Sequence, residues 1–367
     1  MKIGIITFHF PHNYGAMLQA YAMQQKLSSM GHETYIIDYA PSYHTVWYQR
    51  GRSFKQCFSL SPIRTAKWLT GFFLQNPTRN NRYDAFETFK NNRMNLYPYK
   101  DGSNFSEFDA ILLGSDQIWD QAHTNNCFDG PYFGEGFACK VFSYAASSKH
   151  KSLDAVQQKE FKDRINKLFA IGVREESLVD LLQPLTNKQV TLNLDPTLLV
   201  DSKEFSKLNL DRPCEKKYVL IYELNEHPEV IAMAQKYAKN IGANVVSLVA
   251  YFNWKNRFSG LYDQEASPEK FLAYIKNAEC VFTSSFHGTA LSLVFERPFY
   301  TIKQNNNSDL RMSSLLDLLG LSDRFIDMFN VPDAKPIDYD KVKTNLALLR
   351  SNSEQFLFNA LVSDNPF

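Results

Sequence analysis

The stretch of sequence best suited to chemistry is a short apolar run that stops at two serines. Residues 280–283 read as a strand, and four residues of interest follow it: Ser284, Ser285, His287 and Gly288. The serines are candidates for the N-cap of the helix that comes next. A helix start has unpaired N–H groups and the positive end of the helix dipole. We therefore predict that Ser285 and Gly288 help to bind a phosphate or a carboxylate.

His287 is placed where it could contact that anion and also move a proton, because imidazole titrates near neutral pH. The alternative is that Ser284 only caps the helix and His287 is an ordinary surface residue. Spacing alone leaves these two interpretations equally open.

A second polar loop follows the strand predicted over residues 108–113. It contains Gly114, Ser115, Asp116 and Gln117. Polar loops at the carboxyl ends of parallel strands commonly bind ligands. Asp116 could act there as an acid or a base, or hydrogen-bond to sugar hydroxyls.

Two arginines stand at element boundaries. Arg174 follows the strand predicted over residues 169–173, where its guanidinium could fork onto an anion. The alternative for Arg174 is a salt bridge to a nearby glutamate. Arg311 lies in the first turn of a predicted helix, where a cation is slightly unfavourable to the dipole. The unfavourable position indicates that Arg311 serves an interaction outside its own helix.

The loop after the first strand carries Asn13, Tyr14 and Gly15. It has one glycine rather than the three of a dinucleotide-binding fingerprint, so NAD binding is not indicated. Its place at a strand's carboxyl end still predicts a ligand contact. A plain turn is the alternative.

These loops need a framework of alternating strands and helices, and the hydrophobic pattern supplies it twice. We predict an α/β protein of two Rossmann-like, doubly wound domains that face a cleft. The predicted divisions are an N-terminal domain over residues 1–200, a linker over 201–217, a C-terminal domain over 218–335 and a C-terminal helix over 336–367.

Composition limits the class of protein. The chain has 367 residues, a net charge of +1 and 44% hydrophobic residues, which excludes a disordered chain and gives no sign of nucleic-acid binding. The five cysteines form no Cys-x-x-Cys pair, so free thiols in a reducing cytoplasm are expected. No cluster has metal-ligand spacing, so we predict no metal. There is no signal-peptide pattern and no membrane-spanning run.

An insertion over residues 43–82 is basic and rich in aromatic residues, and it contains no Asp or Glu. Such a segment suggests peripheral contact with a membrane surface, or with a lipid-phosphate acceptor. The alternative is that the aromatic residues are core and the basic residues a solvated face.

Seven stretches taken together resemble the polysaccharide pyruvyl transferase family. They are residues 13–21 (NYGAMLQAY), 114–119 (GSDQIW), 143–147 (SYAAS), 173–177 (VREES), 194–199 (LDPTLL), 284–288 (SSFHG) and 311–321 (RMSSLLDLLGL). The resemblance implies a fold similar to the two-domain GT-B glycosyltransferases. It also implies transfer of the pyruvyl group of phosphoenolpyruvate to sugar hydroxyls as a ketal, with release of phosphate.

The resemblance also implies roles for particular residues. Phosphoenolpyruvate would be held by His287, Arg311 and Arg174, although some members carry lysine where this chain has Arg311. We expect His287 to bind the phosphate and act as general acid, and Asp116 to be the base for an acceptor hydroxyl. The expected acceptor-binding residues are Asn13, Tyr14, Gly15 and Gln117.

The expected partners are phosphoenolpyruvate, as donor substrate rather than cofactor, and a glycan acceptor. The acceptor would be a galactose-type sugar of a bacterial surface polysaccharide precursor, with a lipid-pyrophosphate-linked form as one candidate. This places the protein in the cytoplasm, with peripheral contact at the inner membrane face. Two other functions stay open: a GT-B glycosyltransferase that uses a nucleotide sugar, and a non-catalytic glycan-binding protein.

Overall fold

The structure is a computed structural model. It describes residues 1–45, 48, 50, 62–250, 260–306, 309–329, 332 and 335–364, except the side chains of residues 62–76.

The described residues form two parallel β-sheets. The first sheet has seven strands: β1 (Lys2–Ile6), β2 (Glu33–Asp38), β3 (Leu96–Pro98), β4 (Ala110–Asp116), β5 (Lys140–Ala146), β6 (Ile171–Val173) and β7 (Val190–Leu192). Their order across the sheet is β3-β2-β1-β4-β5-β6-β7, and every neighbouring pair is parallel. The order therefore reverses at β1, where the chain crosses to β4.

The second sheet repeats this topology with six strands in the described part of the chain. They are β8 (Tyr218–Tyr222), β9 (Asn244–Leu248), β10 (Leu261–Asp263), β11 (Cys280–Thr283), β12 (Phe299–Ile302) and β13 (Phe325–Ile326). Their order is β10-β9-β8-β11-β12-β13, again all parallel. Each sheet thus has a switch point at which α/β folds bind ligands.

Helices connect the strands. They are α1 (Tyr14–Ser29), α2 (Ser42–Thr45), α3 (Pro62–Arg93), α4 (Ala155–Ile165), α5 (Glu176–Leu182), α6 (Pro196–Leu199), α7 (Ser202–Phe205), α8 (Pro228–Ile241), α9 (Pro268–Asn277), α10 (Phe286–Val294), α11 (Asp309–Leu318) and α12 (Tyr339–Val362). Side-chain caps define several starts, including Asn13 for α1, Ser267 for α9 and Asp338 for α12. Gly242 ends α8 in the left-handed conformation.

Alternate residues of a strand enter different hydrophobic cores. Ala110 and Leu112 of β4 belong to one buried cluster, and Ile111 and Leu113 belong to another. Both faces of the sheet are therefore covered, which is why parallel strands read as nearly continuous apolar runs. The prediction of an α/β protein with two doubly wound, Rossmann-like domains is confirmed.

The largest core cluster is shared by the two domains. Tyr14, at the start of α1, stacks on Phe271 of α9 with ring centroids 4.3 Å apart. The Tyr14 hydroxyl also donates to the Ala266 carbonyl oxygen at 3.0 Å. The aromatic stack and the hydrogen bond are both buried, so they hold the two domains against each other. The strand ends of the two domains then face a common cleft.

The helix α12 returns to the first domain. The Arg350 Nε–H donates to the Leu198 carbonyl oxygen at 2.5 Å, and the Leu194 N–H donates to Ser353 Oγ at 3.0 Å. These bonds hold the chain around residues 193–200 in place. Among residues 201–217, predicted to be a linker, Phe205 is fully buried. The predicted domain boundaries remain predictions.

The structure describes only part of the basic aromatic insertion. Residues 46–47, 49 and 51–61 lie outside the described residues, as do the side chains of residues 62–76. Its predicted membrane contact therefore stays a prediction. No helix in the described ranges combines the length and the apolar character needed to cross a bilayer. The described cysteines, Cys127, Cys139, Cys214 and Cys280, are all free.

We expect Leu357→Ala to lower the free energy of unfolding by about 2–5 kcal/mol, because it opens a cavity under α12. Leu357 is fully buried, whereas Leu348 on the same helix is 65% exposed. Leu348→Ala is therefore the matched control and should change stability by less than about 0.5 kcal/mol. Urea denaturation of both variants measures the difference. Equal effects would show that α12 does not dock on the first domain as described.

Candidate active site

The site lies where strands of both sheets end. Ser115 is at the end of β4, Ser147 directly follows β5, and Arg174 directly follows β6. Asp195 comes shortly after β7, and His287 comes from the loop and first turn after β11. Because the carboxyl ends of parallel strands lie at one edge of a sheet, these residues converge although they are far apart in sequence.

Asp195 links several side chains of this site through its carboxylate. Its Oδ2 accepts hydrogen bonds from Ser115 Oγ and Arg174 Nη1, each at 2.9 Å. Its Oδ1 accepts from the Thr197 N–H at 3.0 Å and from Thr197 Oγ1 at 2.7 Å. Burial alone would raise the pKa of Asp195, but His287, Arg174 and the Thr197 hydrogen bond hold that pKa well below its usual range. The carboxylate is therefore charged at any physiological pH.

Arg174 is held from several directions. Besides Asp195, its guanidinium donates to Ser147 Oγ at 2.9 Å and to Glu175 Oε1 at 3.3 Å. Its Cζ lies 5.0 Å from the centroid of the Phe286 ring. Burial acts to lower the pKa of Arg174, but Glu175 and Asp195 outweigh burial and raise it. The salt bridge to a glutamate, which the sequence left open as an alternative, is thus present. The sequence did not lead us to expect Asp195 as a second carboxylate partner of Arg174.

His287 sits in the first turn of α10 and is buried. Its Nε2 lies 3.5 Å from Asp195 Oδ2, which is an ion-pair distance, and makes no hydrogen bond to a described residue. The ring packs against Gly15 so closely that a Cβ at position 15 would lie 2.1 Å from His287 Nδ1. Gly15 is therefore needed for the approach of an imidazole from the other domain.

Ser285 and Gly288 build the helix start. Ser285 is the N-cap of α10, and its Oγ accepts from the Gly288 N–H at 3.5 Å. A Cβ at Gly288 would lie 2.2 Å from Thr283 Oγ1, so glycine lets α10 pack directly on β11. These contacts orient the turn that carries His287.

Arg311 faces Arg174 across a cavity of about 160 Å³, which Glu175, Asp195 and Phe286 also line. Its Nε is buried and has no hydrogen-bond partner among the described residues. Burial lowers the pKa of Arg311, and the charge of Arg174 lowers it further. Glu175, Asp116 and Asp120 oppose this lowering, but none of them hydrogen-bonds to Arg311 Nε, so an anion in the cavity would stabilise the guanidinium.

Lys149 adds a further positive charge. Burial lowers the pKa of Lys149, and the nearby Arg311 lowers it further, while Asp120 and Asp116 oppose the change. Sequence reasoning missed Lys149, although it follows the small residues at the end of β5, as other site residues follow their strands. It also assigned no role to Asp195, although residues 194–199 are among the stretches that carry the family resemblance.

A second, smaller pocket of about 110 Å³ adjoins the site. Its lining includes Phe8, Asn13, His44, Asp116, Gln117 and His123. Asp116 has a φ of 76°, unusual for a residue with a side chain, and such strain is common at functional sites. Asn13 Oδ1 accepts from the Gly15 N–H at 2.8 Å, which caps α1. The structure thus brings Asp116, Gln117 and Asn13 to one pocket.

Tyr14 lies apart from both pockets. It is buried between the domains, and its hydroxyl accepts from Arg82 Nη1 at 2.7 Å while donating to the Ala266 carbonyl oxygen. The structure therefore places Tyr14 in the domain interface and leaves the other predicted residues around the cleft.

The sequence profile of one protein family, polysaccharide pyruvyl transferase, matches residues 13–306. The match covers most of the chain and includes every predicted site residue except Arg311. The chain belongs to the polysaccharide pyruvyl transferase family. Among curated proteins, none is similar enough to this pyruvyl transferase to count as a match.

Solved structures resemble the pyruvyl transferase in fold. UDP-N-acetylglucosamine 2-epimerase from Rickettsia bellii has a TM-score of 0.50 at 10% identity, over 98% of this chain and 97% of its own. The glycosyltransferase SnogD from Streptomyces nogalater has a TM-score of 0.43 at 10% identity, over 97% and 95%. The epimerase of Methanocaldococcus jannaschii has a TM-score of 0.45 at 11% identity, over 98% and 99%. The fold is GT-B-like, as predicted.

We expect Asp195→Asn to lower the free energy of unfolding by about 3–5 kcal/mol at pH 7, because it leaves the buried Arg174 charge poorly compensated. The pKa of Asp195 is lower in the folded chain than its ordinary value of 3.8. The stability that Asp195 contributes is therefore complete above that value and declines as the pH falls. The difference between the two proteins should shrink at about pH 3.5.

Urea denaturation at both pH values measures this difference. Asp211→Asn is the control, because Asp211 is exposed and should matter little at either pH. A difference that stays constant with pH would show that Asp195 is not held as an anion by Arg174 and His287.

Proposed function

We propose that this pyruvyl transferase moves the pyruvyl group of phosphoenolpyruvate onto a sugar as a ketal and releases phosphate. The observation that supports this most is the buried, unpartnered Nε of Arg311, in the cavity that Arg174 also lines. His287 joins them through Asp195, to which both Arg174 and His287 are close. Two guanidinium groups and an imidazole suit a donor that carries both a carboxylate and a phosphate.

The reaction changes the charge or bonding at three places in phosphoenolpyruvate. The enol carbon must gain a proton, the central carbon must accept two sugar oxygens, and phosphate must leave. In our proposal His287 binds the phosphate and serves as general acid, with its Nε2 3.5 Å from the Asp195 carboxylate. Arg174 and Arg311 hold the anionic groups, with charge-assisted bonds worth about 1.5–3 kcal/mol each. Ser285 and Gly288 shape the helix start that faces the donor.

The acceptor would bind at the smaller pocket. Asp116 is our candidate to receive an acceptor hydroxyl, as a base or as a hydrogen-bond acceptor, and Asn13 and Gln117 flank it. We propose a galactose-type sugar of a bacterial surface polysaccharide, such as a capsule precursor, as acceptor. The basic insertion over residues 43–82 would favour a lipid-pyrophosphate-linked form, at the cytoplasmic face of the inner membrane.

The proposed reaction needs phosphoenolpyruvate and a glycan, and no cofactor, metal or nucleic acid. Within the described ranges, no group of histidine, cysteine, aspartate and glutamate side chains has the arrangement of a metal site.

The decisive experiment mixes the protein with phosphoenolpyruvate and a panel of galactosides, free and lipid-linked. Phosphate release and the mass gained by the sugar, equal to pyruvate less one water, are followed together. We expect His287→Gln to slow turnover by about 100-fold or more. His32→Gln is the matched control, because His32 precedes β2 at the opposite edge of the sheet.

Full phosphate release by the His287→Gln protein would remove His287 from the chemistry. Thermal stabilisation by a nucleoside diphosphate, with none from phosphoenolpyruvate, would favour a nucleotide-sugar glycosyltransferase instead. Tight glycan binding without turnover would indicate a glycan-binding protein. Equal rates with free and lipid-linked galactosides would show that the basic insertion does not serve lipid recognition.

A further inference from the structure

The smaller pocket holds an imidazole that the proposed chemistry has not used. His123 ends a short 3₁₀ helix, Gln121–His123, which begins at Asp120. The Asp120 Oδ1 accepts from the Ala122 N–H at 3.0 Å and fixes this turn. The ring of His123 lines the pocket together with Asp116. It is therefore positioned rigidly beside the predicted acceptor-binding loop.

Hydrogen bonding selects the tautomer of His123. Its Nε2 lies 3.0 Å from Gln117 Oε1, and an amide oxygen can only accept a hydrogen bond. The Nε2 atom must therefore carry the hydrogen, and Nδ1 of the neutral ring keeps its lone pair. A ring with a free lone pair in a pocket can receive a proton from a hydroxyl.

Burial favours the neutral form of this ring. Burial lowers the pKa of His123; Asp120 and Asp116 act to raise it, and Lys149 and Arg311 act to lower it further. The result is a pKa below the ordinary value of 6.5. His44 lines the same pocket, and its pKa is lowered by burial and by His123, while Asp116 acts to raise it.

Charges from both pockets act on His123. Asp116 lines the smaller pocket with it, and the charges of Lys149 and Arg311 also influence its ring. Arg311 lines the anion cavity, whereas Asp116 lines the smaller pocket. His123 therefore lies in the smaller pocket and within electrostatic reach of the anion cavity.

The smaller pocket also has an aromatic wall. Phe8 and His44 meet edge to face with ring centroids 5.0 Å apart, and the buried Nδ1 of His44 has no hydrogen-bond partner among the described residues. Aromatic rings offer an apolar surface to the C–H face of a sugar, and Asn13 and Gln117 offer polar groups at its edge.

We infer that this pocket receives the hydroxyl-bearing edge of the acceptor sugar and that Nδ1 of His123 takes the proton of the attacking hydroxyl. This inference rests on the proposed pyruvyl transfer. His123 is then the catalytic base, and Asp116 holds the hydroxyl by a hydrogen bond. An imidazole suits the task better than a carboxylate, because its ordinary pKa is nearer neutral pH.

One turnover forms two bonds from the central carbon to sugar oxygens and breaks the carbon–oxygen bond to phosphate. The first hydroxyl oxygen bonds to the central carbon of phosphoenolpyruvate while the enol carbon takes a proton from the general acid, and the hydroxyl proton passes to His123. The second hydroxyl oxygen then forms its bond as the carbon–oxygen bond to phosphate breaks. Its proton leaves with the phosphate. His123 releases its proton to solvent, and the general acid regains one from solvent.

The test compares the intact wild-type protein with His123→Gln, and with His32→Gln as the control. Turnover of phosphoenolpyruvate and a galactoside is measured across pH, and donor affinity is measured by calorimetry without acceptor. In the wild type, the rate should rise with pH through an acidic limb below pH 6.5, because only neutral His123 accepts a proton. His123→Gln should lower kcat by about 100-fold or more and abolish that limb.

The affinity of His123→Gln for phosphoenolpyruvate should stay within about twofold of wild type, because His123 contacts the acceptor rather than the donor. A variant that keeps the wild-type rate and acidic limb would overturn the inference. A wild-type protein that binds no phosphoenolpyruvate and releases no phosphate would instead overturn the proposed function, and the inference with it.

Gln117→Glu keeps the test decisive if His123→Gln fails to fold. A carboxylate bonded to Nε2 favours the imidazolium form, so the acidic limb should move to higher pH while the imidazole remains. A limb that does not move would show that His123 has only a structural role.

Discussion

The buried Asp195 carboxylate is the interaction on which the rest of the site depends. It accepts from Arg174 at 2.9 Å and lies 3.5 Å from His287, so one anion joins a cation of the first domain to an imidazole of the second. A buried carboxylate would be costly without such partners. Across the cavity from Arg174, the Nε of Arg311 is buried and has no hydrogen-bond partner among the described residues, so it is available to an outside anion.

The fold serves this arrangement through close packing between domains. Gly15 lets the His287 ring approach α1, and Tyr14 beside it locks α1 to α9. The C-terminal helix α12 crosses back and binds the backbone around Asp195 through Arg350 and Ser353. The cavity lined by Arg174 and Arg311 and the smaller pocket lined by Asp116 therefore lie in a cleft whose two walls cannot shift independently without breaking these contacts.

Hydrophobic periodicity predicted the architecture well, because buried strands such as β4 and β8 contain continuous apolar runs. It missed the short edge strands β3, β10 and β13, which carry too few residues to show a period.

Site residues that follow strands, such as Arg174 and His287, were predictable from position. Asp195 was not, since only folding brings it to His287. Tyr14 was assigned to the acceptor because it follows a strand, but α1 starts at that residue and turns it into the interface.

A crystal structure of the protein soaked with phosphoenolpyruvate tests the central claim most directly. The claim predicts one bound donor whose anionic oxygens lie within hydrogen-bond distance of both Arg311 Nε and His287 Nε2, each of which is buried and makes no hydrogen bond to a described residue. A donor bound elsewhere, with the Arg311 and His287 nitrogens filled only by water, would contradict it.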